Sequence, residues 1–164
     1  EPPSSEDLDP YPATTRPTPP TTPTPSIMKS QIDDAKLFPP GSLTLALGGS
    51  YLGACFVQDE PFYTAQNVAV LQDTHALPIE VKLFIATLVR FESGTKYQAF
   101  GRELNAHYKK DFTVRLPVEQ TADGSPRMDD KREYSDEGYI PDWEYMRDYI
   151  KHLPYADRFP RMTA

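Results

Sequence analysis

Catalysis needs nucleophiles, proton carriers or metal ligands at usable spacing, and this chain has few. His75, His107 and His152 are each separated by more than thirty residues, and no His-x-x-x-His or Cys-x-x-Cys pair occurs. A metal site is not expected from such spacing. Cys55 is the single cysteine and lies in an apolar run, where a thiol serves as a small core residue rather than a nucleophile. Asp129-Asp130 and Asp136-Glu137 could pair carboxylates for acid–base work, but both fall in a charged run that reads as a solvated face. Glu80-Val81-Lys82 has the Glu-x-Lys spacing of metal-dependent nucleases. That chemistry needs the triplet on a strand, and here it follows Pro78 at a helix start. Gly48-Gly49 lacks the Lys-Ser/Thr of a phosphate-binding loop. No catalytic residue, metal or cofactor is expected.

The elements that would hold any site are clearest in 40–118. Leu43-Thr44-Leu45-Ala46-Leu47 alternates as a strand with one buried face does. Gly48-Gly49-Ser50 breaks it, and apolar residues resume over Tyr51–Val57. A hairpin across the glycines, then a turn at 58–61 into 62–71, predicts three consecutive short strands. Val81, Phe84, Ile85, Leu88 and Val89 recur at helical spacing and Ser93-Gly94 comes next, which predicts a helix over 79–91. A shorter helix is expected at 102–110 and a strand or extended exit at 112–118. Residues 119–140 read as a charged, mobile loop. Trp143, Met146, Ile150 and Leu153 mark one face of a second helix over 142–153, stopped by Pro154. That helix should pack on the sheet domain or on a partner. The fold class expected is α+β: a small, mostly antiparallel sheet with two main helices.

Composition divides the chain as the patterns do. Nine of the 18 prolines lie in 1–27, which is Pro/Thr/Ser-rich and almost without apolar residues. Such a stretch is an extended, disordered tail or linker, or a ligand for a Pro-binding module. The sheet domain then spans 28–118, the charged loop 119–140, and a C-terminal helix and tail 141–164. The net charge of −7 is concentrated at the two ends, and 28–122 is close to neutral. Excess acid opposes phosphate binding, because Lys and Arg supply most of that affinity. A lone cysteine suits a reducing, cytoplasmic setting. No apolar run approaches the roughly 20 residues of a membrane span.

Several ordered segments resemble one family. Phe62-Tyr63-Thr64-Ala65-Gln66-Asn67-Val68-Ala69-Val70-Leu71 is similar to a strand of the target-recognition domains in DNA specificity subunits of type I restriction–modification systems, and in related single-chain restriction–methylation enzymes. Pro40-Gly41-Ser42-Leu43-Thr44 resembles the strand upstream. Tyr97-x-x-Phe100-Gly101-Arg102, Phe112–Val118 and Pro141-Asp142-Trp143-Glu144-Tyr145-Met146 resemble the downstream segments of that family. The resemblance spans about 37–154 and has room for one such domain, alone or as part of a larger restriction–methylation enzyme. It implies a non-catalytic module that reads double-stranded DNA for a methyltransferase or nuclease partner.

Under that resemblance, base reading calls for amides, cations and hydroxyls. Gln66 and Asn67 have the amides, although on a strand the same groups would serve local backbone. Ser50 and Tyr51 sit at a strand tip that could enter a groove, or are ordinary turn polarity. Lys96, Tyr97 and Arg102 lie in a polar loop leading to a helix start, where a phosphate could meet cation and helix N-terminus together, or where the loop is simply solvated. Lys109-Lys110 reads as a solvated helix end. The alternative function is an acidic protein-interaction module that docks on a larger enzyme without touching DNA.

Overall fold

The computed structural model describes residues 36–158. The Pro-rich tail 1–27, residues 28–35 and the last six residues lie outside the described residues, and the expectation of a disordered tail lies with them.

Strand β1 (Leu43–Ala46) is central, flanked by β2 (Cys55–Val57) and β3 (Val68–Leu71) in an antiparallel sheet of order β2-β1-β3. Leu45 stands opposite Cys55 on one side and Ala69 on the other. The alternation of β1 places Leu43 and Leu45 on one face with Cys55 and Ala69, and this face forms the core with Ala86, Val89, Tyr97 and Leu104. Leu45 is 1% exposed, so its burial stabilises the fold by about 2 kcal/mol. The α+β class and three-strand antiparallel sheet agree with the sequence reading.

The strands are shorter than their apolar runs. Gly53 ends the hairpin turn at φ +78, and a Cβ there would lie 2.4 Å from the Ser93 Cβ. Only glycine satisfies both the backbone and the space. Asn67 takes φ +60 immediately before β3, so pairing begins at Val68 rather than further upstream. Phe62 instead makes an isolated bridge to Phe38, with the two rings stacked at 5.6 Å.

Helix α1 (Ile79–Lys96) runs five residues beyond the expected end. Its buried stripe is Lys82, Ala86, Val89 and Ser93, with Val81 beside it. The stripe meets Gly41 before β1, through the Lys82 ammonium, and Gly53 at the hairpin turn, through Ser93. An exposed Gly94 weakens a helix by only about 1 kcal/mol. Packing of Ser93 and a Glu92–Lys96 ion pair at 2.6 Å carry the helix past it. It ends where Tyr97 turns extended and buries its ring.

The expected helix at 102–110 does not form, and of the two alternatives for 112–118 the chain takes the extended exit. Residues 102–110 hold only a 3-10 turn, Leu104–Ala106, with Leu104 buried completely. Residues 112–118 stay outside the sheet. Phe112 and Val114 pack on the core, and Val118 makes one bridge, to Pro141. The charged loop is tied down rather than loose. Gln120 bridges Pro126, Met128 bridges Tyr139, and Glu119 pairs with Arg127 at 3.0 Å. Asp123 accepts the Thr121 hydroxyl and the Ser125 N–H, and Asp129 accepts the Lys131 and Glu133 N–H groups, which holds both carboxyls below the usual range.

Helix α2 (Trp143–Lys151) starts at Asp142, whose carboxylate accepts the Tyr145 N–H at 2.8 Å as an N-cap. Met146 and Ile150 are buried, and the helix packs on α1. Phe84 meets Tyr149 edge-on at 5.5 Å. No helix among the described residues is long and apolar enough to cross a membrane.

Candidate functional site

Three segments far apart in sequence meet at the hairpin-tip end of β1. The Leu47 N–H donates to the Asn67 carbonyl at 2.7 Å, and the Asn105 N–H donates to the Leu47 carbonyl at 3.0 Å. The Gly49 N–H donates to Glu103 Oε1 at 3.0 Å. The tip (Gly49–Tyr51, a 3-10 turn), the 66–67 turn and the 97–107 loop therefore share one end of the sheet.

Most of the residues singled out by sequence belong to this end. Ser50 is exposed and Tyr51 is 80% exposed at the tip. Gln66 and Asn67 are exposed in the turn before β3, not buried on a strand, so the local-backbone reading of their amides is corrected. It is the main-chain carbonyl of Asn67 that serves the backbone. Arg102 lies 5.2 Å over the Tyr97 ring and 3.8 Å from Asp111. Tyr97 itself is 8% exposed, tilted against His107 and Phe112, so it supports Arg102 from within the core. Lys96 sits in the last turn of α1, where the helix dipole favours a cation, and pairs with Glu92. With no helix at 102–110, the expected cradle of cation and helix N-terminus is absent.

Sequence reasoning missed Phe100, Glu103 and Asn105. Phe100 is 82% exposed, and with Arg102, Glu103, Asn105 and His107 it lines an open cleft of about 640 Å³. Glu103 holds the end together across 54 residues of sequence, a separation that leaves no local pattern. Its Oε1 also accepts the Phe100 N–H at 3.3 Å, and its Oε2 accepts Asn105 Nδ2 at 3.2 Å. A Cβ on Gly48 would come within 2.7 Å of Oε2, so glycine there lets the carboxylate approach the main chain. The cations Lys96, Arg102, Lys109 and Lys110 are nearly matched by Glu92, Glu103 and Asp111.

The residues considered for catalysis stand elsewhere or are engaged. Lys82 donates to Asp73 Oδ1 and to the Gly41 carbonyl, both at 2.9 Å, with side-chain exposures of 10% for Lys82 and 17% for Asp73. Asp73 Oδ2 accepts the Leu77 N–H at 2.6 Å. Burial works against the Asp73 charge, but the Lys82 hydrogen bond, the Leu77 N–H and the Lys82 charge outweigh it and hold the carboxyl below the usual range. Glu80 lies in the first turn of α1. Burial pushes the Cys55 thiol up to about 12, so it carries almost no thiolate at neutral pH. His75 contacts Glu133, His107 contacts Asp111 and His152 contacts the Asp148 carbonyl. No group of three or more metal-type ligands occurs among the described residues.

Comparison with protein-family models, with curated proteins and with solved structures finds no match.

Proposed function

We propose that the chain is a non-catalytic DNA target-recognition module of a restriction–modification system, which gives sequence specificity to a methyltransferase or nuclease partner. The observation that carries this reading is the convergence of the tip, the 66–67 turn and the 97–107 loop on one end of the sheet. That end presents the Gln66 and Asn67 amides, the Ser50 hydroxyl, Arg102 and two exposed rings. Amides suit adenine edges, and arginine suits guanine or phosphate. The near balance of charge there limits non-specific phosphate binding and leaves selectivity to short-range contacts. A cytoplasmic setting, beside duplex DNA and the partner, goes with this reading.

The test is selection by the purified full chain from a pool of randomised duplexes, alone and with a methyltransferase subunit present. Enrichment of one sequence, with binding that weakens as salt rises from about 50 to about 200 mM, is the expected result. An unenriched pool in both settings refutes the proposal.

A second reading is a protein-docking module. The half-exposed Tyr145 and Tyr149, ranged along α2 beside Phe84, and the net charge of −7 favour it. Recovery of a methyltransferase or nuclease subunit in pull-downs, with no DNA retained at low salt, would select it.

A further inference from the structure

We propose that Tyr51 and Phe100 are specificity-determining contacts to DNA bases, and that Glu103 is the positioning residue that locks their two loops together. This rests on the DNA-reading function proposed above.

The two rings are the most exposed large hydrophobic side chains among the described residues, at 80% and 82%. They lie on separate loops, and one carboxylate oxygen joins those loops, since Glu103 Oε1 accepts both the Gly49 and Phe100 N–H groups. Phe100 also occupies φ +59, a conformation that a side chain with a Cβ resists and glycine or asparagine takes readily. Ring burial does not offset that strain, because the ring faces solvent. The turn is held by main-chain bonds instead: the Gln98 N–H donates to the Arg102 carbonyl at 2.9 Å and the Gly101 N–H to the Gln98 carbonyl at 3.2 Å. Strained positions of this kind cluster at binding sites. Of the two exposed rings at positive φ among the described residues, Phe100 and Tyr155, Phe100 is the one tied to the hairpin tip.

Neither ring carries a cation, so neither neutralises phosphate. Their chemistry is apolar contact with base edges in a groove, or a wedge at a deformable base step. Removing them should therefore reduce discrimination between sequences and leave the electrostatic part of binding intact.

The experiment takes the duplex enriched by the wild-type chain and measures binding to it, and to a scrambled duplex, at two salt concentrations. Tyr51→Ala and Phe100→Ala are each expected to weaken binding to the enriched duplex about tenfold, with scrambled-duplex binding and salt slope unchanged. Glu103→Gln keeps an acceptor for both N–H groups and should stay close to wild type. Glu103→Ala should match the Tyr51→Ala/Phe100→Ala double variant, and adding Phe100→Ala to it should weaken binding little further. If Glu103→Ala fails to fold, the two ring variants decide the matter, because both rings are on the surface. A selective wild type whose selectivity survives both ring variants overturns this inference alone. A wild type that selects no duplex overturns the DNA reading, and this inference with it.

Discussion

The two ends of β1 are each tied by one charged side chain, and they differ in what surrounds it. Before the strand, Lys82 reaches from α1 to the Gly41 carbonyl and to Asp73, with nearly all of the assembly out of water. Beyond it, Glu103 gathers the N–H groups of Gly49 and Phe100 at a surface lined by exposed rings, amides and Arg102. The same device is buried at one end and open to solvent at the other, where the proposed function makes it a presenting clamp. A buried ion pair whose bonds are all internal has nothing left to offer a ligand. The Glu103 clamp leaves Tyr51 and Phe100 in water, and on the proposed reading it holds them for a ligand.

Breaking the buried end should have the largest effect. Lys82→Met leaves the Asp73 carboxylate without its cation and should destabilise the fold by about 3 kcal/mol in urea unfolding. The same variant should change the acid response. Because Asp73 is held below its ordinary value of 3.8, its stabilising contribution is complete above that pH and is lost as pH falls through the folded-state value. Urea midpoints measured down the acid limb should fall less steeply in Lys82→Met than in wild type. Next in size is Gly53→Ala, which forces a Cβ towards Ser93 at a positive φ and should cost about 2 kcal/mol. At the exposed end the balance inverts. Gln66→Ala should alter stability by less than about 0.5 kcal/mol, yet relax selection at one base pair of the enriched duplex by about tenfold. A Gln66→Ala chain that unfolds early, or a Lys82→Met chain that keeps its stability, would dissolve the contrast between the two ends.

The legible parts of the fold were those in which local pattern and tertiary packing agree. The alternation of Leu43 and Leu45 is the alternation of the central strand, and the α2 stripe of Met146 and Ile150 is its buried face. Phe112–Val118 alternates as well, but Phe112 and Val114 reach the core from an extended segment that joins no edge of the sheet. Gly94 reads as a stop, but the fit of Ser93 beside Gly53 is a long-range fact that overrides it. At the candidate site, the resemblance and residue type together singled out Ser50, Tyr51, Gln66, Asn67, Lys96, Tyr97 and Arg102, of which Tyr97 is buried and Lys96 is paired with Glu92. Their meeting point depends on main-chain bonds around Leu47 and on Glu103, neither of which has a sequence signature.

Cys55 has a practical consequence. Its thiol lies on the core face of β2, beside Leu45 of the central strand, and is the only one in the chain. A thiol reagent can reach it only when β2 lifts away or the whole sheet opens. The rate of covalent labelling is thus a native clock for opening of the sheet, readable without any engineered probe. Run with the Lys82 and Glu103 variants, it would report which end of β1 lets go first.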